Sequence, residues 1–392
     1  MASIDDHMAE NYGHLIGTDD FPLRIIKRLY LTESKCTKFF LNKLRDCHKE
    51  IEEAKLISFS DEYLKELLPL PNLKKLICID AYNLRGRSLI ELDSLTELHI
   101  HSSLSFDPKY LLQITYYNPL RTFVMPNYPL MFSNRYAFEM FENLKNVEKL
   151  VIEFNPCKSW QLVGTLPKLK KLEIWDFVSH ECETCLEDHN LYETCAGQHA
   201  TIFFDELRRR NQLEELVLYD SCVSEQHLLR ISELTNLKRL IFYRAVSMFF
   251  LPLDVFKGLV NLKELHLDCC RLINAEDILE IIRCCKKLKV LFLGSVYDVT
   301  AYFLKEANDI LHWRQSTPLV LLTTGLTAEH LELERYGVRL RFIRIVRLKI
   351  KEVGPKEYYL ETGGYFASKI LYARSVERKL FILNRQAAKW KY

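Results

Sequence analysis

The chain has 392 residues, of which 48% are hydrophobic and 27% are charged, and it holds only 12 glycines and 12 prolines. The apolar fraction is sufficient for an ordered core, and the low glycine and proline content, about 3% each, excludes collagen-like and proline-rich disordered chains. The formal charge of +2 excludes a nucleic-acid binder defined by bulk charge. Composition therefore predicts a large, regular, folded body.

Residues 1–25 are predicted to form an N-terminal segment. It is acidic and lacks the basic and apolar regions of a signal peptide. The chain has no apolar run near the roughly 18–20 residues needed to cross a bilayer. Its 12 cysteines include the adjacent pairs Cys269-Cys270 and Cys284-Cys285, at positions suited to small buried residues. We therefore expect reduced thiols, a cytoplasmic or nuclear location and no membrane partner.

From residue 26 to about residue 300 the chain repeats an apolar-x-x-apolar-x-apolar pattern. Nine clear copies start 22–27 residues apart, except for one interval of 44. The pattern is typical of a short strand with two buried residues, and the residues after it carry apolar positions at helical spacing. One such unit cannot bury its apolar face alone, so neighbouring copies must stack. The clear copies begin at Leu73, Leu95, Leu120, Val147, Leu169, Leu213, Leu237, Leu262 and Leu288, and degenerate copies begin at Ile26 and near Leu56.

The copy at Leu262 resembles the cysteine-containing subtype of leucine-rich repeats. Its spacing is Leu262-x2-Leu265-x-Leu267-x2-Cys270-x2-Ile273-x4-Ile278-x2-Ile281-x3-Cys285-x2-Leu288. The resemblance implies an α/β fold, a leucine-rich-repeat solenoid with parallel strands on its concave face and helices on its convex face. This subtype is best known from F-box/leucine-rich-repeat proteins, the substrate receptors of cullin-RING (SCF-type) ubiquitin ligases. The chain has no recognisable F-box, because Phe21-Pro22-Leu23 leads directly into the first strand.

In such a solenoid, the strand residues that alternate with the buried ones point to the concave face. Trp175, Tyr219 and Tyr243 share one column on consecutive strands, and at about 4.8 Å per strand they predict an exposed aromatic ladder. Because Trp, Tyr and Arg are enriched at interface hot spots, we predict a protein-binding patch. The alternative is that the rings pack on one another without a partner. The other predicted members of the patch are Glu173, Glu215, Arg239, His266, Asp268 and Phe292.

The interval of 44 residues predicts an insertion at about 181–200, rich in cysteine and histidine. Cys182-x2-Cys185 and Cys195-x3-His199 offer the ligand types that zinc prefers. Acidic residues crowd the same stretch, which is typical of a solvated loop, and the two pairs lie close together in sequence. We therefore favour a mobile loop, assign no metal and expect no cofactor. Zinc binding and redox chemistry remain the alternatives.

Residues 301–392 are predicted to form degenerate repeats and a basic C-terminal cap that shields the open end of the solenoid. Residues 335–392 carry a formal charge of +11, which leaves −9 on residues 1–334. Alternation over residues 338–350 predicts a half-buried strand, and Gly363-Gly364 between apolar residues predicts a hairpin. Nucleic-acid association through this basic surface is a weaker alternative.

The sequence has no Gly-rich phosphate loop, no H-E-x-x-H and no G-x-S-x-G, so we do not expect an enzyme. His99 and His101 form an i, i+2 pair on a predicted strand, a spacing that can hold a metal but is more often incidental. We predict a protein-binding module that resembles a ubiquitin-ligase substrate receptor, with a protein partner on its concave face and a ligase adaptor as a further partner. The alternatives are a stand-alone scaffold or inhibitor unconnected to ubiquitin and, third, nucleic-acid association.

Overall fold

A computed structural model divides the chain into two compact units, Met1–Leu169 and Lys170–Tyr392, which we call unit 1 and unit 2. The insertion predicted at 181–200 lies outside the residues that the structure describes. Those residues are 3–12, 14, 16, 18, 25–126, 128, 135–154, 158–175, 201–219, 223, 225–243, 254–268, 274–294, 300–314, 318–323, 340–347, 349–353, 357–362, 366–373 and 378–382.

The strands of unit 1 follow the repeat. In its described part each strand pairs in parallel with the next strand of the chain, without an offset in register, so that Leu29 lies beside Ala54 and Ala54 beside Leu76. The first strand lies in the predicted N-terminal segment and pairs with the second. The strands are β1 (Ser3–Asp5), β2 (Arg28–Thr32), β3 (Glu53–Ile57), β4 (Lys75–Ile79), β5 (Glu97–Ile100), β6 (Thr122–Met125) and β7 (Lys149–Glu153).

Short helices connect the strands of unit 1, and two of them begin with a side-chain cap. The hydroxyl of Thr37 accepts a hydrogen bond from the backbone N–H of Phe40, and Asp107 caps the helix that Pro108 begins; both are favoured helix starts. The helices are α1 (Asp6–Tyr12), α2 (Lys38–Cys47), α3 (Asp61–Leu67), α4 (Pro108–Tyr117), α5 (Ala137–Asn143) and α6 (Gln161–Gly164).

Carboxylates tie successive repeats of unit 1 together, and we call these contacts the inter-repeat clamps. In each clamp a carboxylate accepts hydrogen bonds from both the backbone N–H and the hydroxyl of a Ser or Thr that lies 26 or 27 residues later. This satisfies backbone donors that would otherwise lack a partner. The clamps are Asp6 to Thr32 at 2.6 and 2.7 Å, Glu33 to Ser60 at 2.6 and 2.9 Å, and Asp61 to Ser88 at 3.0 and 2.8 Å.

Unit 2 continues the same architecture. In its described part β8 (Lys171–Trp175), β9 (Glu215–Tyr219), β10 (Arg239–Tyr243), β11 (Glu264–Asp268), β12 (Val290–Gly294), β13 (Leu319–Thr323) and β14 (Ile343–Arg347) form a parallel sheet in chain order. The helices of unit 2 are α7 (described over 201–210), α8 (Glu225–Ser232), α9 (Asp254–Gly258), α10 (Ala275–Cys284) and α11 (Ala301–Trp313). Asn274 and Asp277 form a reciprocal capping box at the start of α10.

The paired apolar residues of each strand are buried, as the repeat predicts. In the degenerate copies, Leu29, Leu31 and Leu56 are all fully buried, and so are Leu265 and Leu267 in the copy that carries the cysteine-containing pattern. One strand per repeat, parallel pairing in chain order and intervening helices confirm the predicted α/β leucine-rich-repeat solenoid fold. None of the helices described is long and apolar enough to cross a membrane.

The C-terminal residues depart from the parallel pattern. β15 (Lys349–Val353), β16 (Glu357–Thr362), β17 (Phe366–Ala373) and β18 (Arg378–Ile382) form a separate antiparallel sheet. β16 and β17 pair across the predicted Gly363-Gly364 turn, as a hairpin requires. The prediction of a single strand over 338–350 is wrong. Two strands lie there in different sheets, because β14 pairs with β13 and β15 pairs with β16. Period-two alternation indicates strand character, but it does not indicate where a chain changes partner.

Candidate protein-binding surface

The side chains that alternate with the buried leucines of β8–β12 share one side of the unit 2 sheet, and we call this surface strand face 2. The strands are in register without offset, so equivalent positions form straight columns. The first column is Lys171, Glu215, Arg239, Glu264 and Val290. The second is Glu173, Val217, Ile241, His266 and Phe292, and the third begins with Trp175, Tyr219 and Tyr243.

The first column forms a chain of alternating charges. Lys171 Nζ lies 3.4 Å from a Glu215 carboxylate oxygen, Arg239 pairs with the same carboxylate, and Arg239 Nε lies 2.9 Å from Glu264 Oε1. The chain then turns into the second column, where His266 Nε2 lies 2.8 Å from Glu264 Oε1. The side chains of Glu215 and Arg239 are only 14% and 18% exposed. Each carboxylate therefore lies between two basic groups in a partly desolvated row.

This environment fixes the protonation of the row. Burial alone would raise the pKa of Glu264, but hydrogen bonding to His266 and the charge of Arg239 lower it to about 2. Burial would lower the pKa of Arg239, but the carboxylates of Glu264 and Glu215 outweigh that effect and raise it. Burial lowers the pKa of His266 despite its contact with Glu264. At neutral pH the row therefore consists of ionised Glu264 and Arg239 beside a neutral imidazole.

The predicted aromatic row exists. The ring centroids of Trp175 and Tyr219 are 5.4 Å apart, and those of Tyr219 and Tyr243 are also 5.4 Å apart. The indole N–H of Trp175 donates a 3.0 Å hydrogen bond to Glu173 on the same strand. Contacts at this spacing and tilt are favourable for aromatic pairs. The register of the sheet thus brings together the three residues that the sequence placed in one column.

The prediction that this row is exposed is wrong. Trp175, Tyr219 and Tyr243 are only 2%, 7% and 6% exposed. Large side chains on strands about 4.8 Å apart cover one another's flanks, and the contact between Trp175 and Glu173 holds the indole against the face. Burial also raises the pKa of Tyr219 well above its ordinary value, so its phenol stays neutral. These rings contribute to packing, and apart from Val290 the partly exposed groups of strand face 2 are polar.

The remaining residues of the predicted binding patch are likewise either buried rings or partly exposed acidic groups, except Asp268. His266 and Phe292 lie side by side with ring centroids 5.4 Å apart, and they are 3% and 6% exposed. Asp268 lies at the end of β11, in register with Tyr243 and Gly294, but its side chain lies outside the described part of the structure. Glu173 and Glu215 are half-buried. Strand face 2 therefore presents a charged margin beside a largely closed aromatic centre.

Unit 1 has the corresponding surface, strand face 1, formed by the outward side chains of β2–β7. Its first column repeats the alternation of charge. Arg28 Nε lies 3.2 Å from Glu53, Lys75 Nζ lies 3.6 Å from Glu53, and Lys75 Nζ lies 3.3 Å from Glu97. This charged row was not among the predicted site residues. The signal was present in the first column, where Lys75 and Glu97 have opposite signs, as do Glu215 and Arg239.

His99 and His101 lie on strand face 1, both half-buried. Burial is the main cause that lowers the pKa of His99 to about 3 and that of His101 to about 4, and nearby lysines lower both further. His99 Nε2 lies 3.8 Å from Glu97. The described residues contain no group of three or more His, Cys, Asp and Glu side chains that could hold a metal ion. The predicted zinc candidates Cys182, Cys185, Cys195 and His199 all lie outside the described residues.

The cysteines that the structure describes are free thiols. Cys285 is buried in its repeat and donates a 3.7 Å hydrogen bond to the carbonyl of Phe256, and burial raises its pKa to about 12. A thiol with a raised pKa is a poor nucleophile, so Cys285 acts as a small core residue. This agrees with the predicted role of that position, whereas its neighbour Cys284 is only half-buried.

Comparisons with known proteins agree on the fold alone. No family model matches the chain, and no curated protein matches it. A similar solved structure is the crystal structure of the Rad7 and Elc1 complex in yeast, with a TM-score of 0.54 and 18% sequence identity. The match covers 87% of this chain and 83% of the other chain. It therefore extends over most of both chains.

Proposed function

We propose that the chain is a non-enzymatic protein-binding module, similar in role to the substrate-receptor part of a cullin-RING ubiquitin ligase. Its partner binds across strand face 2. The observation that carries the proposal is the row from Lys171 to Glu264, in which alternating charges are held in register on consecutive strands. Such a row is rigid before a partner arrives, and charge complementarity gives specificity and fast association.

In this proposal the partner contacts the charged margin, namely Lys171, Glu173, Glu215, Arg239 and Glu264. The rings of Trp175, Tyr219, Tyr243 and Phe292 support the margin from within the face. His266 stays neutral between Glu264 and Phe292 and fixes the carboxylate that Arg239 also holds. Asp268 belongs to the same patch by its position on β11. Ordered supporting groups of this kind keep contact residues in one geometry.

The likeness in fold to a chain of the Rad7 and Elc1 complex supports the receptor role, because that structure holds two different proteins. We propose that this chain likewise engages an adaptor, and that it does so in the cytoplasm or nucleus. The free thiols of the described cysteines support that location. A stand-alone scaffold or inhibitor that uses strand face 2 without an adaptor is the second candidate, since the charged row serves it equally well.

Proximity labelling in cells, combined with co-purification of the ligase adaptor, tests the proposal. The informative variant exchanges two charges on β8, Lys171→Glu with Glu173→Lys, and so keeps the net charge. The matched control exchanges an ion pair on α7, Glu206→Arg with Arg209→Glu, far in sequence from β8 and on a helix. Melting of each purified variant, followed by circular dichroism, establishes that it is folded.

We expect the intact chain and the α7 exchange to label the same partners, and the β8 exchange to lose them. An adaptor that co-purifies with the intact chain supports the receptor role, whereas partners captured without an adaptor support the scaffold. Retention of every partner by the β8 exchange would show that strand face 2 is not the contact. Nucleic acid as the only captured partner would replace both candidates.

A further inference from the structure

Strand face 1 has an apolar centre that is partly exposed. Ile57, Ile77 and Ile79 are each partly exposed, and they lie together because Ile57 is in register with Ile79 and Ile77 follows Lys75 on the same strand. Isoleucine on the solvent side of a sheet is costly unless a partner covers it, and interfaces combine an apolar core with a polar rim. The rim here begins with the row from Arg28 to Glu97.

Two lysines of strand face 1, Lys55 on β3 and Lys149 on β7, have no acidic partner among the described residues. Lys55 and Lys149 are both partly exposed, and neither lies within ion-pair distance of a carboxylate among the described residues. Lys75 differs, because it contacts both Glu53 and Glu97. The positive charge of Lys55 and Lys149 is therefore available to an external anion. Both charges also act on His101, which directly follows β5.

The two histidines complete the surface between the lysines. Lys55 is in register with Ile77, and Ile77 with His99. The side chain of His99 is 18% exposed, but its Nε2 atom is itself buried, so the ring contributes its exposed edge to the surface rather than this nitrogen. Burial is the main cause that lowers the pKa of His99, and the charges of Lys149 and Lys75 lower it further, so the imidazole is uncharged at neutral pH.

We infer that strand face 1 binds an acidic, extended peptide segment of a protein partner, with its carboxylates on Lys55 and Lys149 and an apolar side chain over Ile77 and Ile79. The two lysines carry positive charges without acidic partners, and an acidic ligand would complement them. The inference rests on the proposed function, because it names the chemistry of a partner for the same kind of protein-binding module.

The spacing of the strands defines the peptide. From β3 to β7 there are four steps between neighbouring strands, or about 19 Å at roughly 4.8 Å per step. An extended chain advances about 3.3 Å per residue, so the two acidic residues are separated by about six positions. The peptide runs across the strands rather than along them, because Lys55 and Lys149 lie on different strands. His99 lies beneath its middle.

Fluorescence anisotropy with the full chain tests the inference. The probe is a dye-labelled peptide of the sequence Glu-Gly-Leu-Ser-Ser-Gly-Glu, and the control probe has glutamine at both ends. The informative variant is Lys55→Glu with Lys149→Glu. The matched control variant, Lys145→Glu with Lys286→Glu, makes the same change in net charge at two exposed lysines outside both strand faces. Circular dichroism melting confirms that both variants fold.

We expect the acidic probe to bind the intact chain and the control variant equally, with an affinity that falls as salt rises. The Lys55 and Lys149 variant should lose at least tenfold in affinity, and the glutamine probe should not bind. The inference is overturned if the intact chain does not bind the acidic probe, if the informative variant binds it normally, or if the control variant loses as much. It is also overturned if a single-stranded oligonucleotide displaces the peptide from the intact chain and the Lys55 and Lys149 variant does not bind that oligonucleotide.

Repeating the proximity labelling with the Lys55 and Lys149 variant separates the two proposals. If the β8 exchange loses partners but the acidic probe does not bind, the proposed function stands and this inference fails. If the probe binds as expected but no variant of either face changes the labelled partners, the binding chemistry of strand face 1 stands and the proposed cellular function fails.

Discussion

The two strand faces carry the same row of alternating charges, but the side chains that border the row differ. On strand face 1 the row from Arg28 to Glu97 borders partly exposed isoleucines, and its central cation, Lys75, is 33% exposed. On strand face 2 the row from Lys171 to Glu264 borders buried rings, and its central cation, Arg239, is 18% exposed. One repeat design therefore gives an open face and a closed face. The difference lies in the size of the side chains in the second and third columns.

The largest expected effect comes from the third column. Trp175→Ala removes an indole that is 2% exposed and should cost about 3–5 kcal/mol. Ile79→Ala, at the equivalent position of strand face 1, removes a partly exposed side chain and should cost about 1 kcal/mol. Because repeats contact mainly their neighbours, hydrogen exchange followed by mass spectrometry can assign each loss to its own unit. Equal costs at the two positions would show that strand face 2 is not closed.

The cations of the two rows provide the second test. Arg239→Met leaves Glu215 and Glu264 without the guanidinium that holds both, in a site where both carboxylates are poorly solvated, and it should cost about 3 kcal/mol. Lys75→Met removes a more exposed cation and should cost less than about 1 kcal/mol. Urea unfolding of both variants measures the difference. A second change, Glu264→Gln in the Arg239 variant, should recover part of the loss, and no recovery would contradict the role of the pairing.

The fold was predictable from the sequence because each strand carries its own leucine pair. The positions of Leu98 and Leu216 in the repeat indicate a buried side chain whatever lies outside the sheet. The aromatic row was predictable for a related reason, since register places Tyr219 beside Tyr243. Its burial was not predictable, because exposure depends on how neighbouring outward side chains fold over one another. The hydrogen bond from Trp175 to Glu173 is such a contact.

The histidines of strand face 1 make the third test, which uses pH. The pKa of His99 is lowered to about 3 and that of His101 to about 4, from 6.5 in the unfolded chain. Between those values the unfolded state binds more protons, so stability is full above pH 6.5 and falls as the pH decreases towards 4. Because both residues retain partial exposure, we expect a loss of roughly 2 kcal/mol for the pair between pH 7 and pH 5.

The variant His99→Gln with His101→Gln should therefore show a smaller loss of stability over that range, measured by urea unfolding at pH 7 and pH 5. Glu264 on strand face 2 affects stability only at lower pH, because its pKa is lowered from an ordinary 4.5 to about 2. Its contribution is present above pH 4.5 and is lost as the pH falls towards 2. A pH profile that the histidine variant leaves unchanged down to pH 5 would contradict the assignment of this effect to strand face 1.

The smallest effect concerns the inter-repeat clamps, which join successive repeats of unit 1. Asp61 accepts hydrogen bonds from the backbone N–H of Arg85 at 2.6 Å and from the N–H and hydroxyl of Ser88. Asp61→Ala should cost about 1–2 kcal/mol, because backbone donors lose a charged acceptor. The exposed Asp93 gives the control, since Asp93→Ala should change stability by less than about 0.5 kcal/mol.

Hydrogen exchange decides whether the clamp acts between repeats. If it does, the amides of β3 and β4 should exchange faster in the Asp61 variant, while those of β9 and β10 in unit 2 keep their protection. Faster exchange confined to α3, which Asp61 begins, would mean that the residue serves only its own helix. Strand pairing and the buried leucines already hold β3 and β4 in register, so a clamp that acts between repeats adds to them, and faster exchange in both strands is the result expected of it.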